Sequence, residues 1–152
     1  MLELYIDADS CPVKDEVYRV GWRYGLTVHV VANQSVEVPP DARFRLVLVG
    51  DRFDEADDWI ADHAGPGDVV ITADIPLAAR CLERGCTVLG PRGRQFDEEH
   101  IGDAMAAREA AQFLREMGVG GGPPPFADKD RSRFAQRLDV LVQQIRREQG
   151  LT

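Results

Sequence analysis

Five short apolar runs punctuate the chain, and the spacing between them limits the fold more than any other feature. "LELYID", "TVHVVAN", "RLVLVG", "DVVITA" and "CTVLG" are rich in Val, Ile and Leu and too short for buried helices, so they read as strands. Amphipathic stretches between them predict helices over Ser10–Tyr24, Arg52–His63 and Ile75–Arg84. Longer ones follow at Asp97–Met117 and Ala127–Glu148. Strands alternating with helices predict an α/β fold: a mainly parallel five-stranded sheet covered on both faces, in three α/β/α layers. Residues 33–45, with Pro39 and Pro40, barely allow a crossover, so the third strand is open between parallel and antiparallel.

A length of 152 residues suits one domain, 1–152, with a core large enough to fold unaided. The C-terminal helix, 127–148, is expected to pack on it after a Gly/Pro-rich linker, 118–125. "GVGGG" in that linker follows a helix, not a strand, and is no dinucleotide-binding loop. Ser10 is the expected N-cap of the first helix, with Pro12 in its first turn.

Composition narrows the class. No apolar run approaches the length needed to cross a bilayer, and the start lacks a signal-peptide pattern. Cys11, Cys81 and Cys86 cannot all pair and form no C-x-x-C. A reduced, cytoplasmic protein without a zinc ribbon is the expectation. The net charge of −8 is uneven. Met1–Ala79 holds six Lys+Arg against fifteen Asp+Glu, a net −9, and the remainder a net +1. An acidic first half argues against a simple basic nucleic-acid face. It does not exclude phosphate substrates, because carboxylates that collect divalent cations attract phosphate.

The stretch "YIDADSCP" ends a buried strand on Asp7 and Asp9. Side chains alternate along a strand, so the two carboxylates project together wherever strand geometry persists, and they repel unless a cation or shared proton intervenes. Asp74 closes the fourth strand in "VVITADIPLAARC". Ligands bind open α/β sheets beyond the carboxyl ends of the strands, where the strand order reverses. If the first and fourth strands are neighbours, Asp7 and Asp74 share one crevice; Asp74 before Pro76 also suits a plain helix cap. In "GDRFDEADDWI", a helical wheel makes Phe53, Ala56, Trp59, Ile60 and Ala64 the buried stripe. Asp57 falls at its edge, and Asp58 takes that place if the helix is rotated slightly. A carboxylate drawn under an apolar stripe must be paired, hydrogen-bonded or metal-bound.

Acidic elements converging on one crevice suit Mg²⁺ or Mn²⁺, hard ions that prefer oxygen ligands and keep some waters. Such an ion activates water and steadies the leaving oxygen of a phosphodiester. Lys14, Arg92 and Arg94 in "GPRGR", and Arg131 are the rim cations placed to bind substrate phosphates, with Arg133 nearby. Other patterns are weaker. A strand ending in D-x-D opens haloacid dehalogenase-type phosphatases, but "GDRFDEADD" comes too early to be their second acidic motif. Cys11 near a helix start has the setting of an activated thiol, yet Val17 stands where a phosphatase C-x5-R loop needs arginine. His29, His63 and His100 lie on different elements without ligand spacing and read as structural or solvated.

"YIDADSCPVKDEVYRV", "VANQS", "FDEADDWI", "GDVVITADIPLAARCLERG", "VLGPRGRQF" and "PPPFADKDRSRFAQRLD" together resemble the YaiI/YqxD family of uncharacterised bacterial proteins, over nearly the whole chain. That family is grouped with the PIN-like domains, whose α/β/α fold often serves metal-dependent nucleases. The resemblance implies that Asp7, Asp57 or Asp58, and Asp74 bind Mg²⁺ or Mn²⁺, with Asp9 beside them. PIN nucleases usually carry a further acid after the fifth strand, and Asp97 is the nearest here. The expectation is thus a Mg²⁺- or Mn²⁺-dependent nuclease acting on RNA; the competing class is a non-catalytic module that binds metal or nucleic acid.

Overall fold

A computed structural model describes residues 1–52, 54–122 and 124–150, with Ser10 described by its backbone alone. One six-stranded sheet forms its centre: β1 (Leu4–Asp7), β2 (Val28–Ala32), β3 (Phe44–Leu48), β4 (Val69–Ile71), β5 (Thr87–Leu89) and β6 (Gln95–Phe96). Five helices surround it: α1 (Lys14–Tyr24), α2 (Glu55–His63), α3 (Ile75–Glu83), α4 (Ile101–Glu116) and α5 (Asp128–Glu148). The strand order is β3-β2-β1-β4-β5-β6, so the chain builds outward from β1 first to one side and then to the other. The order therefore reverses between β1 and β4, which pair in parallel with Leu4 opposite Val69 and Ile6 opposite Ile71.

Strand alternation sorts the core into two layers. Leu4 and Ile6 join Val28, Val30, Val69 and Ile71 under α1 and α5, where Val17, Phe134, Leu138 and Val142 meet them. Tyr5, Val31, Val70 and Val88 point the other way, against Ile60 of α2 and Leu77, Ala78 and Cys81 of α3. Burying each such Val, Leu, Ile or Phe contributes about 1.5–3 kcal/mol before chain entropy is set against it. The period of two also decides where the first acid goes. Asp7 shares the parity of Tyr5 and so leaves the sheet on the α2–α3 side.

Two expectations are corrected, and the open direction of the third strand is decided. The sheet has six strands, not five: β6 pairs antiparallel with β5, Val88 opposite Phe96. Its turn is built by "GPRG", with the Gly93 N–H donating to Gly90 O at 3.0 Å and Gly93 at φ 90°, a conformation that favours glycine. A two-residue strand is too short to carry a period-two signal. The third strand, β3, runs parallel to β2. The connection before it manages this without a helix by staying extended, with Val36 and Val38 packed on the core and Arg43 O accepting from Val28 N–H at 2.8 Å. Second, Ser10 does not cap α1. Residues Ala8–Ser10 form one 3-10 turn, and α1 starts later with Val13 at its N-cap and no side-chain cap. Phe53, assigned to the buried stripe of α2, lies outside the described residues. Its other members behave as expected, with Ile60 and Ala64 fully buried and Ala56 and Trp59 packed against the core. No helix among the described residues is long and apolar enough to cross a membrane.

Candidate functional site

The carboxyl ends of β1 and β4 meet at Thr72, a residue 2 % exposed. Its hydroxyl donates to Asp7 Oδ2 at 2.9 Å and accepts from the Asp74 backbone N–H at 3.0 Å. One buried side chain therefore ties the last residue of β1 to the loop after β4, at the point where the strand order reverses. Asp74 is at the same time the N-cap of α3: its Oδ1 accepts from Leu77 N–H at 2.9 Å, with Pro76 in the first turn. Asp57 reaches the same region from the first turn of α2.

The electrostatics couple these acids. Burial raises the Asp7 carboxyl above its ordinary range, the Thr72 bond opposes this, and the charges of Asp74 and then Asp9 push it up further. Asp57 is raised to about 6, first by burial, then by the charges of Asp74 and Asp7, with Arg80 opposing. The charge of Asp74 thus reaches both Asp7 and Asp57, and that of Asp7 reaches Asp57, across three separate elements. They do not form a closed ligand cage: among the described residues no group of three or more His, Cys, Asp and Glu side chains is placed to hold a metal ion. Every side-chain donor at the crevice is a hard oxygen, and Asp7 Oδ1, Asp74 Oδ2 and both Asp57 oxygens carry no hydrogen bond from the described residues. Carboxylate and hydroxyl oxygens are the donor type that Mg²⁺ and Mn²⁺ prefer.

The other acids have different work. Strand geometry stops at Asp7, so Asp9 does not continue the alternation beside it. The exposed Asp9 carboxylate instead accepts from the Asn33 N–H through both oxygens, at 3.1 and 3.0 Å, fastening the end of β2. Asp58 pairs with Arg80 of α3 at 2.8 Å. Asp97 sits before α4, where the backbone N–H and ring of His100 hold its carboxyl below the usual range.

Three of the four rim cations are held inside the molecule. Lys14 Nζ donates to Ala8 O at 3.0 Å and Cys11 O at 2.7 Å, bracing the 3-10 turn that follows Asp7. Arg131 donates to the buried Glu16 at 2.8 Å and to Pro12 O at 2.8 Å. Arg92 pairs with buried Asp130 at 3.2 Å, and both guanidinium groups lie over the Phe126 ring. Arg131 thereby pins the start of α5 onto α1 and the loop before it, and Arg92 ties it to the turn between β5 and β6. Arg94, exposed over Phe96, makes no ion pair among the described residues. Cys11 is a buried thiol pushed up to about 11 by burial, which opposes the activated-thiol reading. His29 is buried, stacked on Tyr5 with ring centroids 4.4 Å apart and bonded to Glu3 at 2.6 Å. His63 stacks on Trp59, so both histidines are structural.

Thr72 was not among the candidate site residues read from the sequence. Its signal is faint, because a threonine closing an apolar strand reads as an ordinary strand residue.

The fold and this edge define a mainly parallel α/β protein with an acidic crevice at its strand switch point. The comparisons with known proteins place it further. A family model described as the uncharacterised bacterial YaiI/YqxD family matches residues 5–144, and the chain belongs to that family. A UPF0178 protein of Rhodospirillum rubrum is 52 % identical over 148 residues, covering 96 % of this chain and 99 % of the relative. UPF0178 proteins of Rhodospirillum centenum and Parvibaculum lavamentivorans are 49 % and 51 % identical, and each match covers 97 % of this chain and at least 97 % of the relative. No solved structure matches the chain.

Proposed function

We propose that the acidic edge binds a divalent cation, Mg²⁺ or Mn²⁺, and hydrolyses phosphodiester bonds in RNA. The observation that carries this reading is the Thr72 bridge that joins Asp7 and Asp74 at the β1–β4 switch point, with Asp57 of α2 raised by the charges of both. Like charges gathered there cost stability unless a cation relieves them. Mg²⁺ is commonly held by one or two carboxylates together with waters and substrate phosphate, which suits an open edge better than an all-protein cage. The resemblance to PIN-like domains supports the nuclease class and the choice of RNA, by analogy of fold.

The roles follow from the contacts. Thr72 fixes Asp7 through one oxygen and leaves the other for the ion. Asp74 does the same with the α3 N-terminus, whose dipole also favours negative phosphate close by. Asp57 closes the crevice from α2. When bound, the ion would supply an activated water and stabilise the leaving oxygen. Asp9 acts as a positioning residue through Asn33, and Asp58, held by Arg80, stays outside the site. Of the rim cations, Arg94 remains available for a phosphate.

Purified protein incubated with single-stranded RNA tests this. Cutting with Mn²⁺ and none in EDTA is expected, with Asp74→Asn, purified in parallel, inactive but folded. Asparagine keeps the helix cap and removes the charge. Equal cutting by both proteins would mean contaminating nuclease, and no cutting by either would favour the inert binding module.

A further inference from the structure

Aromatic residues and arginines alternate in two places far from the acidic edge. On α1, "YRVGWR" sets Tyr18 beside Arg19 and Trp22 beside Arg23. Positions four apart on a helix share a face, so the two rings stand in one row and the two guanidinium groups in the next. At the start of β3, Phe44 follows Arg43, whereas strand alternation sends Arg45 to the opposite face of the sheet. The fold brings both segments together around a cavity of about 450 Å³ lined by Tyr18, Arg19, Trp22, Arg23, Pro39 and Phe44. Trp22 lies nearly parallel to Phe44 with centroids 6.2 Å apart, and Tyr18 meets Phe44 edge-on at 5.7 Å. Trp22 is nevertheless 58 % exposed, an unusual position for the largest side chain in the sequence.

We infer that this pocket is a stacking site for unpaired bases of single-stranded RNA. An apolar pocket of this size with few polar groups fits a flat, ligand-sized ring. Bases stack on aromatic and guanidinium planes without regard to sequence, and arginines beside them meet the phosphates. The charges are arranged for that. Arg23 is held by Asp139 at 2.6 Å and Arg43 by Asp41 at 3.0 Å, which fixes both guanidinium groups beside the rings, and Arg43 lies 4.8 Å from the Trp22 ring centroid. Arg19 makes no ion pair among the described residues and is the group open to a phosphate. A proline-rich peptide also docks on aromatic grooves, but it has no use for the arginines set beside Tyr18 and Trp22. In a chain of net charge −8, the Arg19 charge beside these rings favours an anionic partner at this pocket.

The pocket is separate from the acidic edge. It lies at the carboxyl end of α1, whereas Lys14 at the other end braces the turn after Asp7. The helix rise places Trp22 about 12 Å further along than Lys14. Phe44 opens β3 at the amino end of the sheet, on the α1 side, and Asp7 closes β1 at the opposite end. The site therefore anchors a strand away from the place of cleavage. This deepens the proposed RNA reading and rests on it for the identity of the polymer.

The test is anisotropy of a short fluorescein-labelled oligoadenylate, titrated with full-length protein in EDTA so that no cutting occurs. Wild type is expected to bind, with quenching of tryptophan fluorescence that is absent in Trp22→Phe, where only Trp59 remains. Trp22→Ala is expected to weaken Kd roughly five- to hundred-fold. Trp22→Phe should keep most of the affinity, and Arg19→Gln should lower the salt slope by about one. Arg19 is a surface residue, so that variant reports even if Trp22→Ala fails to fold. Equal binding by wild type, Trp22→Ala and Arg19→Gln, or no binding by wild type, overturns the pocket whatever the cleavage assay gives. Preference for a polyproline peptide over the oligonucleotide also overturns it. Cleavage in Mn²⁺ unaffected by Trp22→Ala would leave the acidic edge standing without this anchor; RNA binding without cleavage would do the reverse.

Discussion

Replacing Asp57 by Asn should stabilise the metal-free protein at neutral pH. Asp57 titrates near 6 in the folded chain against an ordinary value of 3.8, because of burial and the charges of Asp74 and Asp7. The folded state holds the proton more tightly than the unfolded state, so stability falls as pH rises from about 4 to about 6. Above that window the full cost stands. A rise from 3.8 to about 6 corresponds to about 3 kcal/mol for a fully buried group. Asp57 is only partly buried, and solvent screening reduces this to about 1 kcal/mol. For a chain of this length that means a Tm rise of about 2–4 °C. The assay is thermal melting of both proteins in EDTA between pH 4 and pH 8. Asparagine should give little advantage near pH 4, where Asp57 is already protonated, and the full rise above pH 6.5. A difference independent of pH, or a loss of stability at neutral pH, would refute the idea that the three acids crowd one another.

Other outcomes follow from single contacts. Asp74→Ala should cost about 1 kcal/mol in urea unfolding through the lost α3 cap, whereas Asp74→Asn should cost none. Thr72→Val keeps the volume and the β-branch but removes the bridge between Asp7 and Asp74. It should weaken Mn²⁺ binding with near-UV circular dichroism unchanged. Arg131→Ala leaves the buried Glu16 without its partner and should lower the urea midpoint, with Glu16→Gln in the same background restoring part of the loss.

The sheet and its two layers were legible because they rest on local signals. Period two in "LELYID" fixes which side Leu4, Ile6 and Tyr5 take, and "VVITAD" before Pro76 marks where β4 ends and α3 begins. The Asp57 position at the edge of the α2 stripe followed from the helical wheel alone. What escaped depends on partners distant in sequence. Arg131 reads as a free surface cation until the fold sets it on Glu16, 115 residues away, and Arg92 until it meets Asp130, 38 residues away. Asp9 reads as a neighbour of Asp7 only while the strand is assumed to continue. The 3-10 turn after Asp7, fastened by Lys14, cannot be seen in a pattern of apolar spacing. Thr72 was missed for a similar reason, since its role lies in hydroxyl geometry and not in hydrophobicity.

The central claim is that Asp7, Asp57 and Asp74 hold one divalent cation. Titrating Mn²⁺ into the protein and following free Mn²⁺ by electron paramagnetic resonance measures this without any substrate. Wild type should remove a single ion per chain from the free signal, competed by Mg²⁺. Asp7→Asn and Asp57→Asn should each bind at least ten-fold more weakly, and Asp58→Asn as well as wild type. Binding that survives in Asp7→Asn and Asp57→Asn alike, or no binding by wild type, would contradict the account.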